Sequence, residues 1–118
     1  MRRTRPWPVS PIITLDVNNV WRYYWLVIAS FKCADTGALA SGHRVKRFVN
    51  IETVARRKIR QLQIANRLDD LRVPPGNRLE ALKGNRAGQY SIRVNDQFRV
   101  CFRWTATGAE DVEIMDYH

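Results

Sequence analysis

The last forty residues of the chain, Leu79 to His118, concentrate side chains that can hold phosphate and move protons. Lys83, Arg93 and Arg99 are candidate cations, and the chain ends on Asp116-Tyr117-His118, with a phenol beside an imidazole. No spacing here matches a metal-ligand pattern. Side chains of these types are what metal-free cleavage of RNA requires. The ribose 2′-hydroxyl must lose a proton as it attacks the adjacent phosphorus. The pentacoordinate phosphate must be stabilised by cations, and the departing 5′-oxygen must gain a proton. Positioned proton donors and acceptors each contribute on the order of 10²–10⁴-fold, and fixed positive charge in a dry cleft contributes comparably. His118 is the candidate proton exchanger, because an imidazole with an unperturbed pKa of ~6.5 changes charge near neutrality. Tyr117 would position or stack a base, or assist proton transfer. Such chemistry calls for no metal and no cofactor, and the roles of general acid and general base stay unassigned.

Taken singly, each residue has a plainer reading. Lys83 beside Gly84 reads as a solvated loop lysine, and Tyr117 as a packing residue. Arg93 and Arg99 read as surface partners of Glu113 or Asp111, in ion pairs worth little. A terminal histidine ordinarily frays. Asp116 reads as a group that orients a neighbour or accepts a backbone N–H, and His43 as a surface loop residue. The grouping is what makes the set chemically interesting.

The elements that must position these groups follow from periodicity. Val27 to Phe31 reads as a first strand, and residues 34–41 as a short helix closed by Gly42. A second helix is predicted from an N-cap at Asn50, with Ile51, Ala55, Ile59 and Leu62 forming one apolar stripe. Arg56, Arg57, Lys58 and Arg60 fall off that stripe, as a solvated face. Leu68 and Leu71 extend or follow the helix, and Pro74-Pro75-Gly76-Asn77 ends it. Alternation then predicts strands over Leu79–Leu82, Tyr90–Val94 and Phe98–Trp104, a turn at Thr105–Ala109, and a last strand through Val112 and Ile114. The order is β, α, α, then an antiparallel meander: an α+β domain with helices on one face of the sheet.

The hairpin register is also readable. With Asn95-Asp96-Gln97 as the loop, Val94 faces Phe98, Ile92 faces Val100 and Tyr90 faces Phe102, so all apolar residues share one face. The other face then sets Arg93 opposite Arg99, with Cys101 and Arg103 nearby. Like charges opposed across strands cost from a few tenths to roughly 1 kcal/mol, and a phosphate from outside the chain is the expected compensation.

Composition bounds the rest. The 118 residues are enough for one modest core. Twenty Lys+Arg against eleven Asp+Glu give +9, a balance that favours polyanionic partners. Cys33 and Cys101 are predicted to be buried thiols in a reducing cytoplasm, without a disulfide. No apolar run approaches a membrane span. Residues 1–26, with Pro6, Pro8, Pro11 and an irregular aromatic run, are read as a poorly ordered extension from an upstream start, and residues 27–118 as the domain.

Several segments together resemble the HigB branch of the RelE/ParE toxin superfamily. They are Phe31-Lys32-Cys33-Ala34-Asp35-Thr36, Val73-Pro74-Pro75-Gly76-Asn77-Arg78-Leu79, Leu82-Lys83-Gly84-Asn85-Arg86, Ser91-Ile92-Arg93-Val94-Asn95, Phe98-Arg99-Val100 and the Asp116-Tyr117-His118 end. The resemblance spans residues 27–118. It implies a RelE-like microbial RNase fold and a ribosome-dependent mRNA endonuclease. It also implies a helix-turn-helix antitoxin of the HigA type as partner. The 70S ribosome would carry the mRNA in its decoding site, and operator DNA would be reached only through the antitoxin, with no membrane involved. The implied catalytic set is Lys83, Arg93, Arg99, Tyr117 and His118, with Arg78, Arg86 and Arg103 contacting RNA. Arg86 is an alternative to Arg93 for the same electrostatic role. Asn85 stands where the family more often has aspartate, and Phe98 where it has tryptophan; neither change removes a proton-transfer group. Two other functions compete. A ParE-like gyrase inhibitor would need none of this cleavage chemistry. A nucleic-acid-binding module would need only the charge, and the chain shows neither a helix-turn-helix nor a zinc pattern.

Overall fold

The computed structural model describes residues 12–15, 21–24 and 30–117. Within the N-terminal stretch, β1 (Ile12–Leu15) and β2 (Trp21–Tyr24) pair antiparallel, Ile12 opposite Tyr24 and Leu15 opposite Trp21. Residues 27–29 of the expected first strand lie outside the described residues. At its end Phe31 bridges Val112 in parallel. The Lys32 N–H donates to the Val112 carbonyl at 2.9 Å, and the Val112 N–H to the Ser30 carbonyl at 3.1 Å.

Helix α1 spans Ala34–Ala40. Gly42 closes it at φ +97°, where its N–H bonds back to the Leu39 carbonyl at 3.1 Å. That left-handed conformation is open to glycine at little steric cost. Buried Thr36 ties the helix to the sheet, its hydroxyl accepting the Ile114 N–H at 3.0 Å.

Helix α2 spans Glu52–Ile64. Asn50 is not its N-cap. The chain enters through a 3-10 turn over Lys46–Ile51, and Ile51 occupies the cap position without a side-chain bond. A capping side chain needs an extended backbone from which to reach the first free N–H groups, and Asn50 already sits inside the turn. The predicted stripe holds: Ile51, Ala55, Ile59 and Leu62 are all buried. Arg57 and Arg60 are exposed. Arg56 instead closes the end of α1, donating to the carbonyls of Leu39 (3.0 Å) and His43 (2.9 Å). Lys58 is buried rather than solvated.

A separate 3-10 turn over Leu68–Arg72 buries Leu71, and another covers Pro75–Asn77. The remaining strands form one antiparallel sheet in the order β3-β4-β5-β6. They are β3 (Glu80–Ala81), β4 (Gln89–Arg93), β5 (Phe98–Thr105) and β6 (Gly108–Asp116). β3 is shorter than its sequence pattern suggests. β6 starts earlier than expected, because the turn after β5 is tight and Gly108 already pairs with Thr105.

The β4–β5 register is the predicted one: Tyr90 opposite Phe102, Ile92 opposite Val100, Arg93 opposite Arg99. The loop is held by the Asn95 side-chain oxygen, which accepts the N–H groups of Gln97 (2.9 Å) and Phe98 (2.7 Å), a local bond that favours asparagine in turns. Between β5 and β6 the register shifts at Cys101/Arg103, and Asp111 adopts φ +53°. This bulge resets the alternation, so Ala109, Val112 and Ile114 all face the core.

The core joins Leu39, Phe48, Ala55, Ile59, Leu62 and Leu71 to Ile92, Val100, Phe102, Val112 and Ile114. Helix α1 packs on β6, and α2 on β5 and β6. The architecture is α+β, two helices covering the apolar face of a four-stranded antiparallel sheet. Among the described residues no helix is long and apolar enough to cross a membrane.

Candidate active site

Strand alternation places Ser91, Arg99, Cys101, Glu113 and Met115 on the sheet face away from the helices. Arg99 faces Met115 and Cys101 faces Glu113 across β5–β6. Past β6 the chain stays paired, since the Tyr117 N–H donates to the Gln97 carbonyl at 2.7 Å. That bond sets Tyr117 on the same face. Its hydroxyl meets the Cys101 thiol at 3.5 Å.

Two arginines flank this pair. Arg86 comes from the turn between β3 and β4, donating to Gln89 Oε1 (2.7 Å), Glu113 Oε1 (3.3 Å) and Met115 Sδ (3.2 Å). Its guanidinium therefore lies across the sheet to β6. Lys32 approaches the same Glu113 carboxylate at 3.9 Å. Arg99 is held by Ser91 Oγ (2.7 Å from Nε) and the Arg78 carbonyl (2.7 Å from Nη2), with the Glu80 carboxylate more distant at 3.8 Å.

The electrostatics of Tyr117 follow from these neighbours. Burial of the hydroxyl, then its bond to Cys101, push its pKa up to about 12, against the opposing pull of Arg86 and Arg99. The residue as a whole is 45% exposed. Burial likewise raises the Cys101 thiol, with Tyr117 and both arginines opposing. At neutral pH the site thus presents a neutral phenol and a neutral thiol in the field of two cations.

Arg86, Arg99 and Tyr117 are thereby brought together. Lys83 is exposed at the start of the turn that carries Arg86, and its carbonyl accepts the Arg86 N–H at 3.1 Å. Among the described residues no acceptor holds its ammonium. Arg93 has other company: it pairs with Asp96 in the hairpin loop, and its charge acts on Lys58. Arg93 faces Arg99 as expected, and each has acceptors within the chain, which for Arg99 are chiefly neutral oxygens. Arg103 pairs with Asp111 at 3.6 Å. Arg78 is exposed, and its carbonyl serves Arg99. Asp116 accepts from the Gln97 side-chain amide at 2.9 Å. His43 is exposed. His118 lies outside the described residues.

Cys101 is fully buried as expected, whereas Cys33 is half-buried at the start of α1, where Arg47 donates to its sulfur at 3.2 Å. Both thiols are free. Among the described residues, no three His, Cys, Asp or Glu side chains converge in a way that would hold a metal ion.

Sequence reasoning missed two features: Ser91 as the acceptor that orients Arg99, and the buried pair Lys58–Asn77, bonded at 2.5 Å. Ser91 was legible, since the register places it opposite Cys101 on the arginine face. Lys58 was legible too: it follows Ala55 by three positions and precedes Leu62 by four, a spacing on the buried stripe.

An α+β domain with a cationic, phenol-bearing sheet face is the class that fold and site define. Residues 41–118 match the family of HigB-like toxins, the RelE-like toxins of type II toxin–antitoxin systems, and the chain belongs to that family. Toxin HigB-1 of Vibrio cholerae serotype O1 is 51% identical over 55 residues, which cover 47% of this chain and 58% of that protein. An uncharacterised protein of Haemophilus influenzae is 38% identical over 55 residues, covering 47% of this chain and 54% of its own length. The chain thus spans a little over half the length of these curated relatives.

Proposed function

We propose that this chain is the toxin of a type II toxin–antitoxin pair and cleaves mRNA on the ribosome. Residues 27–118 would form the toxin domain, in the RelE-like arrangement of helices on one face of an antiparallel sheet. The observation that carries this reading is the Tyr117 hydroxyl, bonded to Cys101 and within the field of both Arg86 and Arg99 on the sheet face away from the helices. A phosphate seated there would meet positive charge from both. Fixed cations and dipoles stabilise a developing pentacoordinate phosphate without reorganising during the reaction. Arg99 is already oriented by two close oxygens, and the exposed Lys83 ammonium, which has no acceptor among the described residues, supplies a third charge. The His118 imidazole, next in the chain to Tyr117, exchanges the proton near neutrality. Arg78 and Arg103 track the flanking backbone, and Arg93 serves the loop end of the same surface. The ribosome holds the message in line for attack by the 2′-hydroxyl. The partner is a helix-turn-helix antitoxin of the HigA type, which also carries the contact to operator DNA.

The test is to map transcript ends on purified ribosomes carrying a defined message. Wild type should introduce breaks in the decoding site and leave naked RNA almost uncut. Arg99→Ala should lower the cleavage rate by about 10²–10³-fold, and His118→Ala by about 10²–10⁴-fold. Equal cleavage by wild type and both variants would remove these residues from the mechanism, and no breaks with wild type would end the nuclease reading.

A further inference from the structure

We propose that Lys58 and Asn77, buried beneath the sheet's neighbouring turns, are positioning residues that aim the Arg99 guanidinium into the active face; its catalytic consequence rests on the nuclease reading above. Lys58 is 7% exposed, and among the described residues no carboxylate pairs with it. Its ammonium donates to Asn77 Oδ1 at 2.5 Å. A buried ammonium without a counter-ion is unfavourable, so this lysine does something an apolar side chain on the stripe would not. Asn77 is 0% exposed. Its amide donates to Gln61 Oε1 (2.8 Å) and to the carbonyls of Leu71 (3.0 Å) and Val73 (3.4 Å). One carboxamide thus locks α2, the Leu68–Arg72 turn and the Pro75–Asn77 turn to each other.

The next residue shows what the lock accomplishes. Arg78 sits at φ 46°, ψ 56°, a left-handed conformation that a residue with a Cβ seldom adopts without support. In that conformation its carbonyl accepts Arg99 Nη2 at 2.7 Å. Ser91 supplies the other close oxygen, at 2.7 Å from Nε. The plane of the guanidinium is therefore set by these two close oxygens, with the Ser91 carbonyl a longer third acceptor at 3.4 Å from Nη2, and the Arg78 oxygen is presented by a left-handed residue directly after the Asn77 anchor. Nη1 has no partner among the described residues and is the edge left for a phosphate. Without the anchor, Arg78 relaxes, its carbonyl turns away, and Arg99 swings on Ser91 alone.

Two readouts on the full chain decide this. The first needs no activity: exchange of the Arg99 Nη2 proton bonded to the Arg78 carbonyl, followed in ¹⁵N-labelled protein and assigned by its absence in Arg99→Lys. Asn77→Ala and Lys58→Met should each lose the protection of this proton while the Val100 and Phe102 amides keep theirs. Asn77→Asp, which retains an acceptor for Lys58 but lacks the amide donors, provides a second test should Asn77→Ala not fold. The second readout is cleavage on programmed ribosomes. There the variants should lower kcat by about 10²-fold at unchanged KM, the scale expected for a small misplacement of a catalytic group. They should add nothing in an Arg99→Ala background. Unchanged protection of the Arg99 Nη2 proton in a folded variant overturns the proposal, as does a loss of kcat that simply multiplies with that of Arg99→Ala. If wild type cuts nothing, the nuclease reading fails and the exchange measurement alone decides the positioning role.

Discussion

Tyr117 enters any reaction here as a neutral hydroxyl. Its pKa is pushed up to about 12, chiefly by partial burial and then by its bond to Cys101. At neutral pH it donates or accepts a hydrogen bond and does not act as a base. The sign of the linked stability follows. A pKa raised in the folded state gives a contribution that is complete below the ordinary tyrosine value of ~10 and is lost as pH rises toward the folded value. Phenolate absorbance of wild type minus Tyr117→Phe should therefore rise only as pH approaches 12, and a step near 10 would contradict the buried hydroxyl. The two arginine candidates separate at this scale as well. Arg86 shares the surroundings of Tyr117 and bonds Glu113 and Met115, whereas Arg93 pairs with Asp96 at the hairpin loop. Arg86→Ala should cost more cleavage than Arg93→Ala in the ribosome assay, and the reverse order would restore Arg93 as the second cation.

At the scale of elements, α2 does two jobs with one helical face. Ile59 and Leu62 are buried against the sheet, and truncating a buried leucine costs about 2–5 kcal/mol. Leu62→Ala should shift the urea midpoint by that loss of stability, while exposed Arg60→Ala should leave it nearly unchanged. Lys58, on the same face, carries a penalty: burial, then Arg57 and Arg93, push its pKa below the ordinary lysine value. For a depressed pKa in the folded state, stability is regained as pH rises through the folded value to the ordinary ~10.5. Wild type should gain stability relative to Lys58→Met across that window in paired denaturant titrations, and parallel curves would show Lys58 to be solvated. The hairpin β4–β5 was legible because a single register satisfied every apolar residue between Tyr90 and Phe102. The N-terminus of α2 was not, since Asn50 as a cap and Asn50 within a 3-10 turn have the same local sequence, and the burial of Phe48 and Ile51 chose between them.

The whole molecule divides its sheet between two solvents. One face is closed by α1 and α2 around the core, and the other presents Arg86, Arg99 and Tyr117. With a net charge of +9, association with ribosomal or messenger RNA should be strongly salt-dependent, its log affinity falling linearly with log salt concentration. Arg103→Ala, which leaves the Tyr117 surroundings intact, should reduce that slope by about one contact. A slope indifferent to salt would mean that the charge does not engage phosphate.

The order of elements from α1 onward, the antiparallel meander and the polarity of its two faces were determined by the sequence alone, because periodicity and turn chemistry are local; β4 and β5 keep the alternation, and β6 keeps it after its bulge at Asp111. The choice of which cations meet Tyr117 was made only by tertiary structure. Arg86 and Glu113 stand 27 residues apart, and Lys58 and Asn77 stand 19 apart. No local pattern encodes such pairs; they exist because a turn folds over the sheet and a helix packs beneath it.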